Sequence, residues 1–408
     1  MIKIEIPYIE NKKTDYLDLV RNPVIQRIRP LLVSLRHLNN ENIDTVKGEF
    51  NRYKHVTRKI VNNFIDGKKL DKNSFNKDNY KITIQNFISS VTKKQEYSKI
   101  NFNGLIELLT FLIEPNSNEL DKLLICDAEN LIKINDYLLS TYSIDDDVNK
   151  FLLRMAFNYE EYEKDIAVHI KDFFRKGNFV KFCPYCNLNE VEYIPNVKVA
   201  GVASSHQLDH FFDKARFHLL SYSLFNLVPS DSNCNGPTNK GSITFTDEFH
   251  LNPYISGMHK KMKYKPIREG NNVVNIDIEI LIPPTDPIYS KMLGSTGYID
   301  ERSNEGNINV FSLYSKYNVR TAKAEKILKK VNNADKGRKS INLFFQKMIG
   351  MNLNEHYLNW YEETLDTFFS ENKFNENAYS KFNRDIHDYY YLQDKKPKND
   401  YIRVLINE

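Results

Sequence analysis

The chain has 408 residues, 41% of them hydrophobic and 27% charged, proportions that exclude wholesale disorder or a low-complexity polymer and leave room for about two or three domains. Lys and Arg total 57 against 53 Asp and Glu, a formal net charge of only +4, so any electrostatic argument for a polyanionic partner must come from the distribution of charge and not its total. Four cysteines, three of them between Cys183 and Cys234 with Cys126 apart, exclude a secreted disulfide framework and read as intracellular thiols or metal ligands.

At the start of the chain Ile2, Ile4 and Ile6 alternate with Lys3 and Glu5, the period of a short strand. No signal-peptide stretch follows, and the most apolar run, Gly104 to Ile113, is shorter than the roughly 20 residues of a bilayer-spanning helix. The expectation is a soluble, cytoplasmic chain with no membrane partner. Residues 1–176 otherwise carry helical spacing, as in Leu105, Leu108, Leu109 and Leu112, then Phe151, Leu152, Met155 and Tyr159. About six helices are predicted, interrupted by the polar stretch Asp71 to Tyr80 and the turn Pro115 to Asn118. Between Glu119 and Asp147 eight acids face two bases. This acidic helical region is expected to be regulatory or partner-docking, and Cys126 within it reads as a small buried hydrophobe.

From 177 to 257 helical periodicity lapses and Cys, His, Asp and Asn concentrate. Cys183-Pro184-Tyr185-Cys186 has the spacing that lets two thiolates reach one zinc ion from a tight turn, and Cys234 with Asp231 three residues before it supplies a second arm for tetrahedral closure. His206, a water or no ligand at all are the alternatives at the fourth position. A second set of residues suits a hard cation. Asp209-His210 is followed by Asn226 and Asn235, and one carboxylate with one amide oxygen makes a partial shell of the oxygen donors that Mg²⁺ or Mn²⁺ prefers. His210 beside them can accept a proton from water near neutral pH. Cation, base and basic surroundings are the components of phosphodiester hydrolysis. His218, His250 and His259 read as exposed or core-satisfied histidines.

Residues 258–408 open with a basic cluster, Lys260, Lys261, Lys263, Lys265 and Arg268, followed by the strand alternation of Val274, Ile276, Ile278 and Ile280 that Pro283-Pro284 ends. A mainly helical region follows from about Phe311. Between Lys316 and Lys339 nine bases face two acids, a tract suited to phosphates through counterion release. Tyr357, Trp360 and Tyr361 at helical spacing read as packing. The composite expectation is a mainly α chain with a short β segment, an α+β fold. Its parts are 1–176, 177–257 and 258–408.

At Leu208-Asp209-His210-Phe211, Asn226-Leu227-Val228-Pro229 and Cys234-Asn235, with Lys240 downstream, the chain resembles the HNH, or ββα-metal, nuclease family. The resemblance covers about 60 residues and draws its specificity from the order CxxC, Asp-His, Asn-Leu, Cys-Asn. It implies an embedded ββα-metal endonuclease module at 177–257, with His210 as general base, Asp209 and Asn235 as ligands of the catalytic cation, Asn239 one helical turn on as a rival or additional ligand, and Asn226 orienting the His-bearing loop. It also implies a structural zinc clamp, in which Asp231 here replaces a cysteine of the family pattern. Lys214, Arg216 and Lys240, with Lys260, Lys261 and Lys263, are the expected contacts to nucleic acid, most readily DNA. The stretch from His210 to Asn235 looks most like HNH nucleases of bacterial anti-phage systems, including the nuclease component of Septu-type defence. That likeness implies restraint by a partner such as an ATPase, or by a homo-oligomer.

Two rivals stand beside this reading. Cys-Pro-Tyr-Cys is also the dithiol motif of glutaredoxins, although the later Thr-Val-Pro and Gly-Gly of that pattern are missing at sensible spacing. The other rival is a zinc-stabilised nucleic-acid-binding protein without catalysis.

Overall fold

The computed structural model describes residues 1–4, 9–39, 100–115, 117–157, 166–177, 180–191, 195–196, 203–204, 207–294, 305–345, 362–363, 373–374 and 376–393. His206, Ile6, Tyr159, Asp71 to Tyr80, and Tyr357, Trp360 and Tyr361 lie outside them.

The first four residues are extended but not part of a sheet. Ile2 and Ile4 are buried and Lys3 is exposed, as alternation requires. The N–H groups of Ile2 and Ile4 donate to the carbonyls of Pro184 (2.7 Å) and Pro253 (2.8 Å), so this stretch laces two distant loops together. Helix α1 (Lys13–Leu38) buries Tyr16, Val20, Val24, Ile28, Leu31 and Leu35, a spacing of three or four that makes one continuous apolar stripe. Around it pack α2 (Phe102–Ile113), α3 (Glu119–Leu124), α5 (Asp147–Phe157) and α6 (Ile166–Gly177), with α4 (Leu131–Thr141) between α3 and α5 in sequence. The predicted leucine face is the inner face of α2. The acidic segment is partly neutralised by α1, through Lys13–Asp127 (2.9 Å) and Arg21–Asp121 (2.7 Å). Cys126 is half-buried, not the buried hydrophobe expected.

The middle of the chain holds two antiparallel pairs. Strands β1 (Pro195–Asn196) and β2 (Ala203–Ser204) form the first. In the second, β3 (Gln207–His210) pairs with β4 (Leu227–Ser230), with Asp209 opposite Val228 and His210 opposite Leu227. Between β3 and β4 lie two 3₁₀ turns, His218–Tyr222 and Leu224–Asn226, and after β4 comes α7 (Ser232–Asn235). This helix is a single turn. Gly236-Pro237 ends it, because proline lacks an N–H and disfavours helical backbone at the residue before it. Asn239 is therefore not one helical turn beyond Asn235, as the sequence suggested; it lies in the turn 236–241, where its N–H donates to Gly236 O (3.0 Å).

A hairpin of β5 (Met262–Glu269) and β6 (Asn272–Ile280) follows. The expected face was Val274, Ile276, Ile278 and Ile280, but Val274 is exposed and Val273 buried beside Ile276 and Ile278. The cause is a bulge: Ile267 pairs with Asn275 and Arg268 with Val273, so Val274 is the extra residue and alternation flips there. The chain then forms α8 (Pro287–Leu293), α9 (Asn307–Val310), α10 (Leu313–Asn318), α11 (Thr321–Phe345) and α12 (Ser380–Gln393), the last two packing on the hairpin. The architecture is mixed α+β, and among the described residues one hydrophobic cluster runs from Met1 to Ile386. No helix among them is long and apolar enough to cross a membrane.

The closest backbone approach in the N-terminal helices is at Gly104. Its N–H donates to the Asn101 side chain that caps α2 (2.9 Å), and a Cβ there would collide with the Tyr142 carbonyl. Gly104→Ala is expected to destabilise the protein by about 1–3 kcal/mol, measured by chemical unfolding, despite the better helix propensity of alanine.

Candidate metal centre and active site

Residues 181–191 fold back on themselves. Cys183 N–H donates to Asn189 O (2.9 Å), Asn187 N–H to Cys183 O (2.7 Å) and Val191 N–H to Lys181 O (2.8 Å). Asn187 takes the left-handed conformation, φ 55°, which asparagine tolerates better than most residues. The hairpin aims Cys183 and Cys186 at the start of α7, where Cys234 and Asp231 wait. The four ligand atoms lie within 4.8 Å of one another, and all four residues are buried.

Asp231 explains how a carboxylate can stand in a cysteine's place. As N-cap of α7 its Oδ1 accepts from the N–H groups of Asn233 (2.9 Å) and Cys234 (3.2 Å) and from Asn189 Nδ2 (3.2 Å), while Oδ2 faces Cys186 Sγ at 3.5 Å. One oxygen holds the helix and the other faces the thiols. Three soft donors and one carboxylate suit zinc, with Zn–S of about 2.3 Å and tetrahedral closure, and the group could hold such an ion. Burial pushes the Cys183 thiol well up. Hydrogen bonds from Cys183 and Cys234 hold Cys186 well below the usual thiol range, while Cys234 is pushed well up as Cys183 is. Lys316 of α10 donates to Cys234 Sγ at 3.3 Å.

The Asp-His pair sits at the end of β3. His210 is buried, and its Nε2 lies 3.0 Å from the carbonyl of Ser221. A carbonyl can only accept, so Nε2 carries the proton and the lone pair is on Nδ1. Burial, with Lys214 and Lys240 adding to it, lowers its pKa to about 3, and the imidazole is neutral at physiological pH. Asn226 braces this region: its Oδ1 accepts from Phe212 N–H (2.7 Å), and its Nδ2 donates to Phe212 O (3.1 Å) and Leu220 O (3.0 Å), tying the loop after His210 to the turn that carries Ser221.

The expected cation shell is not assembled. Asp209 accepts from Tyr185 OH (2.5 Å) on Oδ2 and from Lys240 Nζ (2.6 Å) on Oδ1. Asn235 reaches Gln207 Oε1 (2.9 Å) and Asn239 reaches Asn233 O (2.6 Å). A divalent cation on Asp209 does not fit this arrangement, because an ammonium group already takes the carboxylate. Lys240 is accordingly not a surface contact to phosphate: only 3% of it is exposed. Arg216 and Lys260 are exposed, while Lys214 and Lys263 are half-buried. Lys261 is engaged by Ser256 Oγ (2.7 Å) and Gly257 O (2.9 Å). Of the basic tract, Lys316 turns to the thiols, while Lys326 and Lys329 are exposed.

His218 and His250 are buried in the core. His218 Nδ1 bonds Lys214 O (2.7 Å), and His250 stacks on Phe245 at 3.9 Å. Tyr185, Ser221 and Lys316 were missed by the sequence reading. Tyr185 carried a signal, lying inside the CxxC itself. Ser221 acts through its backbone and Lys316 from 82 residues away, which no local pattern reveals. No family model, curated protein or solved structure matches the chain.

The buried histidines set an acid limit to stability. The folded pKa of His210, about 3, lies below the ordinary 6.5, and that of His218 falls to about 4, chiefly through burial. Below pH 6.5 the unfolded chain binds more protons than the folded one, so stability is held above that pH and lost on the way down. Urea unfolding from pH 8 to pH 4 should show this loss, and His210→Gln should have a shallower slope.

Proposed function

We propose that the chain is a metal-dependent endonuclease of the HNH kind, hydrolysing phosphodiester bonds of nucleic acid, most readily DNA, with His210 as general base. The observation that carries the reading is the state of His210: neutral, with Nε2–H fixed on Ser221 O and the basic lone pair on Nδ1. It stands on a strand–turn–strand–helix unit that Asn226 braces and a Cys₃Asp group could clamp. In hydrolysis Nδ1 takes a proton from the attacking water. A pKa of about 3 makes a weak base, and a phosphodiester anion beside Lys214 would raise it by offsetting that positive charge. A divalent cation, when bound, would supply stabilisation of charge on the phosphate.

Two observations bear on the rivals. A dithiol oxidoreductase needs an accessible first thiol of lowered pKa, whereas Cys183 is buried and pushed upward, so the redox reading has no support. The engagement of Asp209 by Lys240 favours the second reading, a zinc-stabilised nucleic-acid-binding protein without catalysis, or else a nuclease held in restraint. Supercoiled plasmid and single-stranded RNA, incubated with the full chain and Mg²⁺ or Mn²⁺, test the nuclease reading. The expected result is plasmid nicking or linearisation that EDTA abolishes and His210→Ala slows by about 100-fold or more. Undiminished cleavage by His210→Ala would remove the proposed base, and no cleavage of either substrate would overturn an unrestrained nuclease and leave the binding protein or the restrained nuclease.

A further inference from the structure

The ammonium group of Lys240 is surrounded as a metal ion would be. Its Nζ donates to Asp209 Oδ1 (2.6 Å), to Phe211 O (3.3 Å) and to the carbonyl of His210, and it lies 4.7 Å from the centre of the Phe245 ring. One carboxylate and two backbone carbonyls are also the donors a hard divalent cation selects. Lysine and a metal ion cannot share them, since two positive charges a few ångströms apart in the interior repel strongly. The second oxygen of Asp209 belongs to Tyr185, so no other face of the carboxylate is on offer. Lys240 is carried by the turn 236–241, which is closed by Asn239 N–H and Gly241 N–H on the carbonyl of Gly236 (both 3.0 Å). The turn lies just after α7, and Lys240 N–H donates to Cys234 O at 3.2 Å, so the position of the lysine is fixed from the thiol centre.

We propose that Lys240 is a built-in competitor for the divalent cation of the nuclease site, so that ammonium and metal occupy Asp209 in mutually exclusive states and withdrawal of the turn 236–241 opens the site. The proposal deepens the nuclease reading and rests on it for the purpose of the cation. Its occupancy, however, is measured without substrate or cleavage. Competition of this kind multiplies apparent metal affinity by the fraction of chains in which the lysine has withdrawn. It also supplies a restraint that needs no second protein to hold it, only one to release it.

The test is Mn²⁺ binding to the zinc-loaded full chain, followed by the electron paramagnetic resonance of free Mn²⁺. Lys240→Met is expected to bind Mn²⁺ roughly tenfold or more tightly than the wild type. The gain should vanish in Lys240→Met with Asp209→Asn, and Asp209→Asn alone should bind Mn²⁺ no more tightly than the wild type. Removing one partner of a buried ion pair can prevent folding. Lys240→Gln, which removes the charge but keeps two donors, then replaces Lys240→Met with the same expectation. Equal affinity in the wild type and the folded Lys240 variant, or a gain in that variant that survives Asp209→Asn, would overturn the proposal. Either result leaves the nuclease reading to stand or fall on plasmid cleavage. Conversely, tighter Mn²⁺ binding by a variant that cleaves nothing would keep the competition and discard the nuclease.

Discussion

Three thiols and a carboxylate converge within 4.8 Å of one another in the protein interior, and a buried cluster of that kind gathers negative charge that needs a cation nearby. The rest of the molecule is arranged around this point. Pro184, between the first two cysteines, receives the N–H of Ile2. Cys186 O accepts from Tyr317 OH of α10 at 2.7 Å. Asn187 gives its side-chain amide to Phe374 O and Asn377 O and its carbonyl to Tyr379 N–H, which seats the start of α12. Segments from both ends of the described chain thus hang on one hairpin of eleven residues, 181–191. An ion holding Cys183, Cys186, Asp231 and Cys234 would stabilise all of these attachments together, because binding free energy at such a site is folding free energy.

The same hairpin reaches the candidate active site. Tyr185 stacks on Phe311 at 4.2 Å and hydrogen-bonds Asp209, so the carboxylate is fixed from the thiol side while Lys240 neutralises it from the other. His210, on the next residue of β3, is fixed independently by Ser221 O. The turn bearing Ser221 is in turn pinned by the N-terminal helices. Tyr16 OH donates to Tyr222 O (2.7 Å), Arg27 to Tyr222 OH, and Ser223 Oγ to Leu123 O (2.8 Å). The helical region 1–176 therefore supports the histidine's partner directly and is more than an appendage for docking. A change in α1 has a short route to the tautomer of His210, through Tyr222 and its neighbour.

Much of the site could be read from the residues. Cys183, Cys186, Asp231 and Cys234 were legible as one ligand set because thiol spacing is a local property, and the fold brings them together as spacing requires. Asn226 was singled out by the family resemblance alone. What sequence could not reveal are the contacts that depend on packing across long separations. Lys240 has the composition of a phosphate contact and the environment of a buried counter-ion, and only the path of the turn after Pro237 decides between them. Lys316 belongs to a basic tract yet turns inward to a thiol. In β6, alternation identified the strand and misplaced one residue, since a bulge leaves no mark on the pattern until the partner strand is known. The single-turn length of α7 was written in Gly236-Pro237.

The account depends most on the Cys₃Asp centre, and its metal content is the most direct measurement. Elemental analysis of the full chain purified without chelator should find about one zinc per chain, released by a strong chelator together with a fall in thermal stability, and lost in Cys234→Ser. A metal-free chain that takes up no added zinc and melts at the same temperature with and without chelator would contradict it.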